Sequence, residues 1–278
     1  MTAQPSGTVR DFMHRYLEVV SQDATIVAVA ERMQVRRIGS VLIESGDPKR
    51  GVFGIATETD LVRKVVAAGL DPTVTMVDQI MATPVLTITA ARSMLDASHL
   101  METNHVRHLC VLDGEDIVGL ISVRDLVRYF VDAESGPVSD LDNVYRPLSV
   151  LMATTLGTIP SEETMHAAAR LMQEKRIGSL LVVEAGEIVG IVTESDLVRK
   201  GLASQVDPGR TRVGGLMNHP LISIDINRTV RDASEMMADH RVRHLAVREH
   251  RKIVGLLSVR DLVKMVSVRD RPRFLGNT

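Results

Sequence analysis

Gly119-Leu120-Ile121-Ser122-Val123-Arg124-Asp125 is one of four near-copies of a single pattern: a glycine, two apolar residues, a hydroxyl residue, two variable residues and an aspartate. The others are Gly54-Ile55-Ala56-Thr57-Glu58-Thr59-Asp60, Gly190-Ile191-Val192-Thr193-Glu194-Ser195-Asp196 and Gly255-Leu256-Leu257-Ser258-Val259-Arg260-Asp261. The aspartates lie 65, 71 and 65 residues apart, and Thr57 to Thr193 and Ser122 to Ser258 both span 136 residues, so the chain is a duplicated pair. Repeats at a fixed period dictate architecture, because each unit buries its apolar face only by stacking on a neighbour.

Working outward, the second unit opens on the turn Met81-Ala82-Thr83-Pro84, since proline drives its predecessor out of helical geometry. A short strand is predicted at 85–88, then a helix within 91–104 whose Met94, Ala97, Ser98 and Met101 form one small or apolar face. The same face recurs as Ile26, Val29, Ala30 and Met33, as Met165, Ala168, Ala169 and Met172, and as Val230, Ala233, Ser234 and Met237. The methionines read as core filler. Apolar segments at 109–112 and 117–121 flank Asp113-Gly114-Glu115-Asp116, which is hairpin chemistry, as is Glu184-Ala185-Gly186-Glu187. Unit one has a longer hairpin loop through Ser45-Gly46-Asp47-Pro48-Lys49-Arg50, and each unit closes with a helix starting just after the hydroxyl residue. The order is strand, helix, strand, strand, helix, an α/β (α+β) fold. The repeats fall at about 9–70 and 77–134, forming a first pair at 9–134, and at about 146–205 and 212–268, forming a second pair at 146–268. The proline- and acid-containing stretch at 135–145 reads as the linker.

Hydrophobic residues at 45% and charged residues at 24% are globular proportions, and a net charge of −2 gives no electrostatic case for nucleic acid. The lone cysteine, Cys110, sits in an apolar run and reads as a core residue in a reducing compartment. The amino terminus is short and polar, and no apolar run reaches the roughly 18 residues of a membrane span. A cytoplasmic protein with no membrane segment is expected.

Thr57, Ser122, Thr193 and Ser258 stand where a strand gives way to a helix, with an acid three residues on. As plain N-caps they would stabilise each helix by about 1 kcal/mol. A helix N-terminus also presents amide donors to a phosphate, and a nearby carboxylate accepts from a pair of hydroxyls. A ribose phosphate needs both. Basic residues recur before each hairpin, in Arg36-Arg37-Ile38, Asn104-His105-Val106, Lys175-Arg176-Ile177 and His240-Arg241-Val242. They suit either a solvated helix end or charge-assisted bonds to phosphate.

These motifs, with Met81-Ala82-Thr83-Pro84 and Val106-Arg107-His108-Leu109, resemble the cystathionine beta-synthase (CBS) domain over about 9–268. The whole chain is similar in layout to the gamma subunit of AMP-activated kinase. The resemblance implies two paired modules forming a pseudo-two-fold disk, with adenosine ligands in clefts between repeats. It implies ribose roles for Asp60, Asp125, Asp196 and Asp261. It implies phosphate roles for Thr57, Ser122, Thr193 and Ser258, aided by Arg37, His105, Lys175, Arg176, His240 and Arg241. Unit two departs from the others in carrying Asn104 and His105.

The function expected is a non-catalytic sensor of AMP, ADP or ATP that controls a separate protein, acting as a monomeric disk or a homodimer. No catalytic cofactor or metal is expected. His105 and His108 bracket a strand start, and His240 and His244 straddle a helix-to-strand junction, so neither is a helical zinc pair. No nucleophile elbow or glycine-rich nucleotide loop appears, which argues against an enzyme. NAD or S-adenosylmethionine would satisfy the same adenosine chemistry. Adenosine-rich nucleic acid is disfavoured, because three tyrosines, four phenylalanines and no tryptophan supply few stacking platforms.

Overall fold

The computed structural model describes residues 7–46, 51–131 and 147–262; the expected linker at 135–145 and the end of the last repeat at 263–268 lie outside the described residues. A short lead helix, α1 (Val9–Phe12), precedes repeat one, which comprises β1 (Val19–Ser21), α2 (Ile26–Arg36), β2 (Ser40–Glu44), β3 (Val52–Thr57) and α3 (Glu58–Asp60). Here α3 runs directly into a π-helix at Leu61–Val66. Repeat two comprises β4 (Thr87–Thr89), α4 (Met94–Thr103), β5 (His108–Asp113), β6 (Asp116–Ser122) and α5 (Val123–Val131). Repeat three comprises β7 (Thr158–Pro160), α6 (Met165–Lys175), β8 (Ser179–Glu184), β9 (Glu187–Thr193) and α7 (Glu194–Asp196), with a π-helix at Leu197–Gly201. Repeat four comprises β10 (Ser223–Asp225), α8 (Val230–Asp239), β11 (His244–Glu249) and β12 (Lys252–Ser258), and is helical again at 259–262.

The strand–helix–strand–strand order expected from the sequence is the order observed. Each repeat forms a three-stranded sheet in chain order, its first strand parallel to the second and its second antiparallel to the third. The predicted helical faces are all buried, from Ile26, Val29, Ala30 and Met33 in α2 to Val230, Ala233, Ser234 and Met237 in α8. Polar caps start these helices: Ser93 accepts from the Asp96 amide while the Asp96 carboxylate accepts from the Ser93 amide, and Thr229 and Asp232 repeat the exchange on α8. Cys110 is buried, and burial pushes its thiol up to about 11.

The motif glycine has a packing reason. Gly54, Gly119, Gly190 and Gly255 pair with Ile43, Val111, Val182 and Val247, and the hairpin register shifts just beyond each of these partners. A Cβ would lie 2.3 Å from Met81 Sδ at Gly54, 2.5 Å from Met13 Sδ at Gly119, 2.9 Å from Met217 Sδ at Gly190 and 2.4 Å from Met152 Sδ at Gly255. Each methionine comes from a segment that joins the third strand's outer edge through an isolated bridge, His14 to Leu120, Ala82 to Ile55, Asn218 to Ile191 and Ala153 to Leu256.

The chain divides into two compact units that interleave along the sequence: 17–85 with 156–221, and 1–16 with 86–155 and 222–278. The first holds repeats one and three around a single core that includes Met33, Leu61, Val65, Met165, Met172, Leu197 and Leu202. Its two repeats exchange reciprocal side-chain contacts, as the duplication requires. Thr59 Oγ1 donates to Glu194 Oε2 at 2.7 Å and Ser195 Oγ to Glu58 Oε1 at 2.8 Å. Arg199 pairs with Glu58 at 3.1 Å and Arg63 with Glu194 at 3.3 Å. Gln34 donates to the Arg199 carbonyl and Gln173 to the Arg63 carbonyl. Both glutamates are buried, so each relies on these partners to offset the loss of water.

The second unit holds repeats two and four. One cluster gathers Val9, Met94, Met101, Leu109, Ile121, Leu126 and Tyr129, and another Leu148, Ile224, Met237, Leu245, Val247 and Leu257. The Phe12 and Tyr129 rings meet edge to face at 5.0 Å, tying α1 to α5. At the positions where repeats one and three carry Glu58 and Glu194, repeats two and four carry Val123 and Val259.

Candidate functional site

The four hydroxyl–aspartate pairs form the same local structure. The Thr57 amide and Oγ1 donate to Asp60 Oδ2 at 3.0 and 2.6 Å, and those of Ser122 to Asp125 Oδ2 at 2.8 and 2.7 Å. Thr193 binds Asp196 Oδ2 at 2.9 and 2.6 Å, and Ser258 binds Asp261 Oδ2 at 2.9 and 2.5 Å. A strand residue in extended conformation thus caps the helix that follows, and the aspartate at the third helical position closes the exchange. The capping arrangement is real, and it uses one carboxylate oxygen.

The other oxygen, Oδ1, has a different environment in each of the first three repeats. Asp60 Oδ1 pairs with Lys64 at 2.8 Å, and Lys64 also donates to the Ile80 carbonyl. Asp125 Oδ1 meets His14 Nε2 at 2.9 Å. Asp196 Oδ1 meets Lys200 at 3.1 Å and accepts from Asn218 Nδ2 at 2.8 Å. Lys64 and Lys200 follow their aspartates by four residues, a helical spacing visible in the sequence. His14 and Asn218 come from distant segments, and the signal for them was the recurrence of Met13, Met81, Met152 and Met217 one residue ahead of this position.

Electrostatics differ accordingly. The hydrogen bond to Asp125 raises His14 above the ordinary histidine range, against burial and the repulsion of Arg124 and Arg128. Burial pushes Asp125 up, but the His14 bond and charge together with the Ser122 donors outweigh it and hold Asp125 below the ordinary carboxylate range. Elsewhere in that unit burial pushes His244 down to about 3, with Arg243, Arg107 and Arg260 adding repulsion. The charges of arginines from repeats two and four thus bear on one imidazole.

The basic residues read from sequence occupy helix ends. Arg37, His105, Arg176 and Arg241 all have φ between 54° and 56°. At each, the following residue's amide returns to the methionine carbonyl five positions back: Ile38 to Met33, Val106 to Met101, Ile177 to Met172 and Val242 to Met237. This is a Schellman cap built on a non-glycine residue. Lys175 is the last residue of α6, and His240 caps α8. Among the described residues no hydrogen bond or ion pair brings these six to the hydroxyl–aspartate motifs. His240 lines a cavity of about 750 Å3 in which Asp225, Asp232, Glu235 and Asp239 are joined by Arg228 and Arg248, a wall of mixed charge. No group of three or more His, Cys, Asp or Glu side chains among the described residues is placed to hold a metal ion, and no described helix is long and apolar enough to cross a membrane.

Comparison with known proteins follows the same four segments. The CBS domain pattern matches residues 9–67, 77–132, 148–203 and 213–268. The CBS domain-containing protein CBSCBSPB2 of Arabidopsis thaliana is 24% identical over 258 residues, 82% of this chain and 47% of its own, so this chain spans about half the length of that relative. YhcV of Bacillus subtilis, also a CBS domain-containing protein, is 33% identical over 111 residues, covering 40% of this chain and 79% of its own. The crystal structure of MJ1225 from Methanocaldococcus jannaschii, described as a candidate archaeal homolog of g-AMPK, superposes with a TM-score of 0.76 at 18% identity. It covers 94% of this chain and 100% of its own. That likeness establishes a shared fold across all four repeats. With the family pattern matched over most of its length in four successive copies, the chain belongs to the CBS domain family.

Proposed function

We propose that this chain is a non-catalytic regulatory protein that binds an adenosine nucleotide, AMP, ADP or ATP, at its hydroxyl–aspartate motifs and thereby controls a separate protein. One observation carries the reading: in three repeats the motif aspartate commits Oδ2 to the cap and turns Oδ1 to a donor from another segment or turn. Capping and ligand acceptance therefore do not compete for the same oxygen. A ribose diol would donate to Oδ1, replacing the donor found there, while the motif hydroxyl, whose proton goes to Oδ2 in the cap, would turn that proton to a phosphate oxygen only on binding. Arg107 and Arg243, whose charges bear on His244, are added to Arg37, His105, Lys175, Arg176, His240 and Arg241 as candidates for phosphate charge. The description of MJ1225 as a candidate g-AMPK homolog supports a nucleotide-sensing role. Control of a partner requires that the nucleotide bind two states of the chain with different affinity.

The test is mass spectrometry of small molecules that copurify with the protein, followed by thermal melts with AMP, ADP, ATP, GTP, NAD and S-adenosylmethionine. Saturation at a hundred times the dissociation constant adds about 2.7 kcal/mol per site. The reading predicts a rise in melting temperature with adenine nucleotides and a smaller one with GTP; equal responses contradict it.

A further inference from the structure

The four motifs differ most at one register position, and that difference has a functional consequence. His14, Ala82, Ala153 and Asn218 each follow a packed methionine, and each joins the strand residue after the motif glycine by two backbone hydrogen bonds. These are His14 with Leu120, Ala82 with Ile55, Ala153 with Leu256 and Asn218 with Ile191, with N···O distances of 2.8 to 3.1 Å. The backbone is thus held in the same way in all four, and only the side chain changes. Two of these side chains reach the motif aspartate, His14 to Asp125 at 2.9 Å and Asn218 to Asp196 at 2.8 Å. The two alanines carry no donor. Exposure follows the same split: Asp125 and Asp196 are buried, whereas Asp60 and Asp261 are half-buried. Lysine follows a different division: Lys64 pairs with the half-buried Asp60 and Lys200 with the buried Asp196, while repeat two carries Tyr129 at that position and His14 meets Oδ1 of the buried Asp125.

We propose that this position decides which motif carboxylates are open to ligand: His14 and Asn218 act as built-in occupants of repeats two and three, and Ala82 and Ala153 leave repeats one and four as the primary nucleotide sites. The inference rests on the nucleotide reading above and adds the rule for which sites fill. A diol entering repeat two or three must displace a hydrogen bond to a buried carboxylate, so those sites bind more weakly by about tenfold. In repeat two the occupant is also a titrating group. Protonated His14 faces Asp125, opposed by Arg124 and Arg128 of α5, with Arg15 beside it and Arg10 held by Asp113. Loss of the His14 proton leaves a neutral imidazole, a weaker competitor for the carboxylate, so repeat two opens as pH rises.

Calorimetry of the full chain with AMP as the probe tests this. Wild type is expected to show about two tight sites per chain. His14→Ala and Asn218→Ala should each tighten one further site by about tenfold, and Ala153→Asn should remove a tight one. Wild type should gain occupancy at repeat two between about pH 6 and pH 8, the range in which histidine titrates. His14→Asn, which copies the contact made by Asn218, should keep that site weak at both pH values. The melting temperature checks that each variant folds: the backbone pairing is kept, and His14→Ala and Asn218→Ala are expected to lose only the modest stability contributed by their bond to a buried aspartate. If AMP binds wild type but all four variants keep its stoichiometry and affinities, the gating inference is overturned and the nucleotide reading stands. If AMP binds neither wild type nor any variant, both fall together.

Discussion

Asp60, Asp125 and Asp196 each serve two neighbours at once, Oδ2 closing a cap and Oδ1 facing a donor, so a substitution there has two separable costs. Asp60→Ala is expected to lower stability by about 1 kcal/mol through the lost cap and to weaken AMP at repeat one by one to two orders of magnitude. Chemical denaturation and calorimetry read the two effects independently, and an unchanged affinity would leave the motif as a cap alone. Histidine titration gives a second residue-scale expectation. His14 is raised, so its contribution is complete below the unfolded value of 6.5 and is lost as pH rises through the higher folded value. His244 is depressed to about 3, so the unfolded chain takes up a proton that the folded chain refuses, and stability falls as pH drops from 6.5 toward 3. His244→Asn should flatten the acid side of the stability profile and His14→Asn the other; reversed assignments in denaturant midpoints measured across that range would contradict these environments. The caps were legible from sequence because a hydroxyl and an acid three residues apart carry a local geometry. The partners His14 and Asn218 were not, because nothing local links residue 14 to residue 125 or residue 218 to residue 196.

At the scale of elements, the helical faces and hairpins were legible because their signals are periodic or confined to a turn. The basic triplets had two readings, solvated helix end or phosphate grip, and the geometry places them at Schellman caps with Arg37, His105, Arg176 and Arg241 in left-handed conformation. What the sequence concealed was the pairing that makes glycine necessary in the motif: a methionine from another segment fills the space of its missing Cβ. Gly119→Val is therefore expected to drive Met13 off β6 and destabilise the chain by about 1 to 3 kcal/mol, whereas Gly114→Ala at the hairpin tip, where nothing lies within 4 Å, meets only its positive φ. Comparable losses for the two in urea denaturation would refute the packing explanation. The crossed pairs of repeats one and three make a second prediction at this scale. Glu194→Ala leaves Arg63 and Thr59 without that carboxylate and should cost about 3 kcal/mol, while the Arg63→Ala, Glu194→Ala double variant should cost less than the sum of its parts. Strict additivity in the double-mutant cycle would show that the pair is not coupled.

For the whole molecule, the fourfold repeat and its 136-residue duplication followed from spacing, since a repeated sequence must repeat its backbone. Which repeats share a core did not follow. Repeats one and three carry Glu58 and Glu194 where repeats two and four carry Val123 and Val259, and that difference follows the compact units rather than chain order. The same asymmetry bears on function, because four equivalent motifs would give four equivalent sites, and the side chains on the aspartates are not equivalent. The central claim is that these motifs hold an adenosine nucleotide through the aspartate. Calorimetry of the intact chain with AMP and with GMP, repeated on the Asp60→Ala, Asp261→Ala double variant, tests it most directly. The account predicts saturable AMP binding to wild type, much weaker GMP binding, and loss of the tight AMP sites in a double variant that still melts cooperatively; tight AMP binding that survives both substitutions would contradict it.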